Sequence, residues 1–346
     1  MDKILSIIIP TYNMERYLHR CLDSIIIEDK ILFYRLEVLV VNDGSKDSSS
    51  AIAHEYEMKY PEVIRVIDKD NGNYGSCFNR GLKEATGSYV KLLDADDYYD
   101  TRELINFIKE LMNTDADLII SSFNIVDETT IITSSNNVPA DSKGTSILVD
   151  NNNLFNILPQ KLIAMHSIAI KRENLIENCY KQQEGISYTD TEYSFFGVLY
   201  AKKVYFSSSC LYQYYVGREG QTVSISSQIN HKRDYVLILN RLLDVLIEKQ
   251  LTLSLYKKEI LLYIVTSLFK LYSVVSILAI PPRKIEETTI LEILDKCEQC
   301  GIQLSGLMES TKYHGIPYLK LWVNHRISFY PLFKFVTLLK RYYKPL

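Results

Sequence analysis

The sequence predicts an α/β domain built on a parallel sheet, followed by a helical C-terminal region. Three observations carry that expectation. Through residue 120, short apolar runs alternate with segments whose apolar residues recur at helical spacing, the pattern of successive strand–helix units. The runs are apolar throughout, as strands covered on both faces require. Beyond residue 230 the chain turns to long helical patterns rich in Leu, Ile, Tyr and Lys. Together these place a first domain at residues 1–225 and a helical region at 226–346.

The first unit is an apolar run at 5–9, ended by Pro10. A helix follows with Met14, Tyr17, Leu18, Cys21, Leu22 and Ile25 on one face and Asn13 as its expected N-cap. A second strand at 38–41 runs into Asn42, Asp43, Gly44 and Ser45, and a helix is expected at 46–58. Asp43 stands at a strand's carboxyl end, where it can accept a hydrogen bond from a nucleobase N–H; it or Ser45 can equally cap the helix. A third strand is expected at 63–67. The stretch DKDNGNYGSCFNRGLKEATG then brings Gly72 and Gly75, which allow close backbone approach. It opens a helix at 76–85 whose N-terminus favours a phosphate. Its glycines match neither the P-loop nor the G-x-G-x-x-G spacing, which argues against a nucleoside triphosphatase and against a dehydrogenase.

The next strand, 89–93, delivers Asp94, Asp96 and Asp97. In an open parallel sheet, ligands bind beyond the carboxyl ends of the strands. A hard divalent cation takes one or two carboxylates and fills its shell with water and phosphate oxygens. An Asp-x-Asp pair here has the form of a metal–diphosphate anchor, although the pair alone more often marks a solvated acidic turn. A helix near 101–113 and a strand near 118–120 continue the alternation, and the polar stretch 121–150 is expected to hold a hairpin and a loop. In GISYTDTEYSFFGVLYAKK, Thr189 is the expected N-cap of a packed helix. Asp190 in its first turn either satisfies the helix dipole or serves as a general base facing a cleft. His166 reads more readily as a structural residue than as a site residue. Arg218, between Gly217 and Gly220, can clamp a diphosphate or remain a solvated loop charge.

A net charge of −3 gives no global basic character for binding nucleic acid. Six mostly isolated cysteines and the absence of a signal-peptide pattern suit a reduced, cytoplasmic chain. Cys297 and Cys300 lack the second pair of ligands that a structural zinc site needs. The run 260–280 is long enough to span a bilayer, but Tyr263, Thr266, Ser267 and Lys270 dilute it, and a buried helix is the better reading. The aromatic, basic tail FYPLFKFVTLLKRYYKPL suits a membrane surface or packing on its own domain.

The motifs SIIIPTYN, VVNDGS, NGNYGSCFNRGLKEATGSYVKLLDADD and YTDTEYSF, in this order, resemble the family 2 glycosyltransferases over residues 4 to about 225. The resemblance implies a Rossmann-like GT-A nucleotide-diphospho-sugar transferase domain with a nucleotide-sugar donor. It implies Pro10, Thr11 and Tyr12 lining the nucleotide pocket, with Asp43 reading the base, usually uracil. It assigns Asp94 to the ribose or the metal shell and Asp96 to Mn2+ or Mg2+ under the diphosphate. Asn71, Gly72, Gly75, Asn79, Ala95 and Arg218 complete the implied donor site. Asp190 matches the family's base, the second letter of its usual Glu-Asp; Thr189 replaces the first, which makes Glu192 a rival. Glu192 and His166 are the accessory or acceptor candidates. Phe78 stands where the family often has Arg, and the Gln-x-x-Arg-Trp of processive members is absent.

The implied function is therefore inverting, metal-dependent, non-processive transfer of a hexosyl or N-acetylhexosaminyl group. The acceptor is a hydroxyl of a glycan or lipid-linked oligosaccharide in bacterial surface polysaccharide synthesis. The expected setting is cytoplasmic, with a peripheral membrane contact or an oligomer contact left to the C-terminal helices. The alternatives are a non-catalytic nucleotide-sugar-binding partner subunit and a nucleotidyltransferase, which would release pyrophosphate rather than UDP.

Overall fold

The structure, a computed structural model, describes residues 2–127, 131–149, 158, 162–218, 221, 224–281 and 283–342. It divides into two compact units. The first is Met1–Glu219 with Ser254–Ile260; the second is Gly220–Leu253 with Leu261–Leu346. The sequence-based boundary after residue 225 thus falls inside the second unit, and the short segment Ser254–Ile260 joins the first.

The first unit is built on strands β1 (Leu5–Thr11), β2 (Leu36–Asn42), β3 (Ile64–Asp68), β4 (Tyr89–Leu92), β5 (Tyr98–Tyr99), β6 (Leu118–Val126), β7 (Ile132–Asn136), β8 (Thr145–Leu148), β9 (Ile168–Lys171) and β10 (Lys203–Tyr215). Their order is β3-β2-β1-β4-β9-β6-β10-β5, with β7 beside β6 and β8 beside β10. β1, β2, β3 and β4 run parallel, and their apolar runs are buried on both faces: Ile7, Ile8, Ile9, Val38, Leu39, Val40, Val41, Val90 and Leu92 have no more than trace exposure. The parallel sheet expected from the alternation through residue 120 is present, and the sheet is made mixed by β9, beyond that region, which lies antiparallel between β4 and β6. Four residues directly after a turn carry too short a pattern to announce a strand direction. β6 also runs to Val126, well past the predicted end, because β7 and β10 pair along its extension.

The helices follow the predicted order with shifted ends. They are α1 (Leu18–Asp23), α2 (Lys30–Phe33), α3 (Ser49–Lys59), α4 (Asn73–Glu84) and α5 (Thr101–Leu111). Asn13 is not the N-cap of α1. It sits at φ 55°, and its side-chain oxygen accepts from the Lys46 amide at 2.8 Å, tying the β1 loop to the loop before α3. Asp100 caps α5 by accepting from the amides of Arg102 and Glu103. Lys91, in the middle of β4, is fully buried and donates to the carbonyls of His166 and Ile168 at 2.8 and 3.0 Å.

The second unit is helical: Ile225–Asn230, Lys232–Lys249, most of Leu255–Ser273 with a π turn at Val274–Leu278, Lys284–Gln299, Leu304–Ser310, Tyr318–His325 and Tyr330–Tyr342. Lys232 pairs with Glu286, Lys296 with Asp244, and Ser273 with the Tyr318 hydroxyl. Cys297 and Cys300 are buried free thiols. Among the described residues one helix, Leu255–Leu278, is long and apolar enough to cross a membrane, and 61% of its apolar window is buried within the protein.

Candidate active site

The carboxyl ends of β1, β2 and β3 are flush, since Thr11 pairs with Asn42 and Asn42 with Asp68. The next residue of each chain therefore reaches the same edge: Tyr12, Asp43 and Lys69. Tyr12 is 45% exposed, Pro10 is half-buried, and the Thr11 carbonyl accepts from the Asp43 amide at 2.8 Å. The Asp43 carboxylate is buried; one oxygen accepts from Lys69 Nζ at 2.5 Å and from the Gly72 amide at 3.0 Å. Asn71 Nδ2 donates to the Asp43 carbonyl at 3.0 Å. The structure thus brings Asn71, Gly72 and Lys69, a residue the motif reading overlooked, together at Asp43, while Pro10, Thr11 and Tyr12 lie on the neighbouring strand end. Counting one step past each flush strand end would have found Lys69.

The acidic turn after β4 is held from several sides. Ala95 is buried. Asp94 accepts from the Tyr74 hydroxyl at 2.9 Å, and its amide donates to the Tyr212 hydroxyl oxygen at 3.2 Å. Asp97 accepts from the Tyr212 hydroxyl at 2.6 Å and from the Tyr215 amide at 2.8 Å. The Asp96 carboxylate accepts from Arg218 Nε in a nearly buried ion pair, and its carbonyl accepts from Arg20 at 2.7 Å. Arg20 lies over the rings of Tyr98 and Tyr215. Burial, then the negative charge of Asp96, push the carboxyl of Asp94 above the ordinary range, and Asp97 is raised for the same two reasons.

Asp190 opens the helix Asp190–Tyr200, as expected, with Thr189 at the N-cap position but making no side-chain cap bond. Burial raises its pKa, against the pull of the Thr191 amide and its own. One turn on, the Tyr193 hydroxyl donates to the Val90 carbonyl at 2.9 Å, tying this helix to β4, and the Asp190 charge adds to the upward shift that burial produces at Asp94 and Tyr74. The segment leading to it is fastened to α4. Asn79 accepts from the Gln182 amide at 2.8 Å and donates to the Gln182 carbonyl at 2.8 Å and to Glu184 at 2.8 Å. Gln182 Nε2 in turn donates to the Thr189 carbonyl at 2.6 Å. Glu192 is buried and accepts from the Gln183 amide at 2.8 Å. Asn79, Gly75 and Glu192 are therefore engaged in holding this segment. A Cβ on Gly75 would lie 1.9 Å from the Gln183 carbonyl oxygen. Gly75→Ala is accordingly expected to cost about 1–3 kcal/mol of stability, measured by urea unfolding, and to lower turnover by shifting Asp190. An unchanged midpoint would show that the segment gives way without cost.

His166 lies just before β9. Its ring stacks on Phe123 with centroids 5.3 Å apart and lies 4.3 Å from Tyr214. Burial, then the Lys91 ammonium, push its pKa down to about 3, so the imidazole is neutral. Asp94, Asp97 and His166 each bring one ligand atom within 4.8 Å of the others. Asp96 is not one of these three; its carboxylate pairs with Arg218. The donor set suits a hard divalent cation: carboxylate oxygens dominate, one neutral imidazole is at hand, and a guanidinium already stands as a cation against Asp96. A cation here would also relieve the mutual repulsion that raises Asp94 and Asp97.

Residues 6–170 match the family described as "Glycosyl transferase family 2". Among curated relatives, the poly(ribitol-phosphate) beta-glucosyltransferase of Bacillus spizizenii is 29% identical over 64% of this chain and 34% of its own length. The minor teichoic acid biosynthesis protein GgaB of Bacillus subtilis is 40% identical over 31% of this chain and 12% of its own. Glycosyltransferase GlyA of Streptococcus pneumoniae is 32% identical over 36% of this chain and 17% of its own. The chain thus spans at most about a third of the length of these relatives. The solved structure of S. aureus TarS 1-349 in complex with UDP-GlcNAc superposes with a TM-score of 0.64 at 19% identity, covering 99% of this chain and 93% of that one. The Pyrobaculum calidifontis mannosyltransferase PcManGT in complex with GDP-Man and Mn2+ gives 0.51 at 14% identity, covering 100% and 89%. The fold is GT-A-like and shared with these structures, and residues 6–170 are similar to glycosyl transferase family 2.

Proposed function

We propose that the chain is an inverting, metal-dependent, non-processive glycosyltransferase that moves one sugar from a nucleotide-sugar, a UDP-sugar by preference, to a hydroxyl group. The acceptor proposed is a glycan or lipid-linked oligosaccharide of the bacterial surface, a teichoic-acid-type polymer among them, met on the cytoplasmic side. The observation that supports this reading most is that the helix Asp190 opens is bonded through the Tyr193 hydroxyl to the Val90 carbonyl of β4, the strand that ends in the Asp94–Asp97 turn. The teichoic acid and poly(ribitol-phosphate) relatives support the acceptor class, and the fold shared with TarS bound to UDP-GlcNAc supports a uridine donor.

In this reading Tyr12 packs on the base, and Asp43, kept in place by Lys69 and the Gly72 amide, accepts its N–H. Asp94 and Asp96, with Asp97 and His166 beside them, hold the divalent cation, which would supply charge stabilisation to the departing diphosphate. Asp190 takes the proton from the acceptor hydroxyl. The oxygen's electron pair forms the new bond to the anomeric carbon as the bond to the β-phosphate oxygen breaks, and its pair leaves with UDP. Burial lifts Asp190 toward working pH, as a general base needs. A screen of UDP-, GDP- and other nucleotide-sugars for nucleoside diphosphate release, with Mn2+ and with chelator, tests this. Metal-dependent release from one donor is expected; no release from any donor, with pyrophosphate formed from a nucleoside triphosphate and a sugar phosphate, would make the chain a nucleotidyltransferase.

A further inference from the structure

The side chains of Arg218 and Asp96 are only 14% and 10% exposed, and they pair directly through Nε. The guanidinium also lies 5.6 Å from the centroid of the Tyr17 ring. Arg20, the other arginine at this turn, spends its charge on a carbonyl and on two aromatic rings. The charge balance around Asp96 is lopsided, with Asp94 and Asp97 in the same turn and Asp190 close by. A hard cation would use the same carboxylate that the guanidinium holds through Oδ2, and two cations on one carboxylate repel each other. Arg218 directly follows Gly217 at φ 104°, a conformation open to glycine, so the backbone beside it can turn where other residues could not.

On the reading that Asp96 is a metal ligand, we propose that Arg218 is the exchange partner of the metal. Without donor it occupies Asp96 and weakens divalent-cation binding. When metal and donor arrive together, it leaves the carboxylate and takes the donor's diphosphate, for which a planar guanidinium is suited. The nucleotide then repays the displacement by giving the guanidinium a new anion. Metal and nucleotide therefore bind cooperatively, and the coupling resides in one side chain.

The test is Mn2+ binding followed by electron paramagnetic resonance of the free ion, on wild type, Arg218→Gln and Asp96→Asn, first alone and then with UDP. In Arg218→Gln, Mn2+ alone should bind about tenfold more tightly, within the usual range of such couplings. UDP in saturating Mn2+ should bind more weakly than to wild type, so the mutual enhancement shrinks. Asp96→Asn should lose Mn2+ in either state. Unchanged or weaker Mn2+ binding in Arg218→Gln, with Asp96→Asn still defective, overturns the exchange and leaves the metal assignment standing. Mn2+ binding that ignores Asp96→Asn overturns both.

Discussion

Asp190→Asn is expected to cut kcat by roughly 10²- to 10⁴-fold, the usual worth of a positioned general base, with donor affinity nearly unchanged. The substitution keeps the side chain's shape and its hydrogen bonds to the helix amides, so the Asp190–Tyr200 helix should remain. What it removes is the ability to accept a proton. The pH profile makes the assignment specific. Only ionised Asp190 can act, and burial raises its pKa, so wild-type kcat should fall with decreasing pH at a point above the ordinary aspartate value of about 3.9. Steady-state kinetics over a pH series would measure both effects. Wild-type-like turnover in Asp190→Asn, with activity lost in Glu192→Gln, would transfer the role to Glu192; the bond from the Gln183 amide to Glu192 makes that outcome the less expected one.

Asp96→Ala should abolish metal-stimulated UDP binding and depress turnover by roughly 10³-fold or more. Stabilisation of the leaving group by a Lewis acid is worth several kcal/mol, and each 1.36 kcal/mol is tenfold in rate. The substitution also leaves the Arg218 guanidinium without its carboxylate partner in a site where both groups are nearly buried, a separate cost to stability. Calorimetric titration with UDP, in Mn2+ and in chelator, separates the two. Loss of the difference between the two conditions, with the protein still folded by circular dichroism, is the expected result. A metal effect of wild-type size would remove Asp96 from the ligand set and leave Asp94, Asp97 and His166 as the remaining group.

Much of this site was legible in the sequence, and for physical reasons. Asp43, Asp94 and Asp190 each follow an apolar run or open a helix, and a position at the end of a buried strand or the start of a helix is a local property. What the sequence did not disclose is pairwise and distant. Lys69, at the end of β3, reaches Asp43 at the end of the neighbouring β2, Arg218 reaches Asp96 from far along the chain, and Tyr212 anchors both Asp94 and Asp97 from β10. β9 escaped because its direction depends on where the chain returns, and four residues carry no sign of that. Asn79 was assigned to the donor by motif alone; its hydrogen bonds to Gln182 and Glu184 could not be anticipated, since the segment 181–187 has no periodic pattern of its own.

The anchoring of Asp97 by the Tyr215 amide bears on how the protein comes into being. These partners lie 118 positions apart. As the chain emerges from the ribosome, β1 to β4 can assemble early, yet the acidic turn lacks its Tyr212 and Tyr215 anchors until β10 has been made and paired between β6 and β5. Closing so long a loop is slow and is rewarded only at the end. The segment 6–170 that matches the family therefore holds only part of the candidate site: a protein cut there would keep Asp43 and the Asp94–Asp97 turn but lose Tyr212 and Tyr215, which hold that turn, and Asp190 and Arg218 with them.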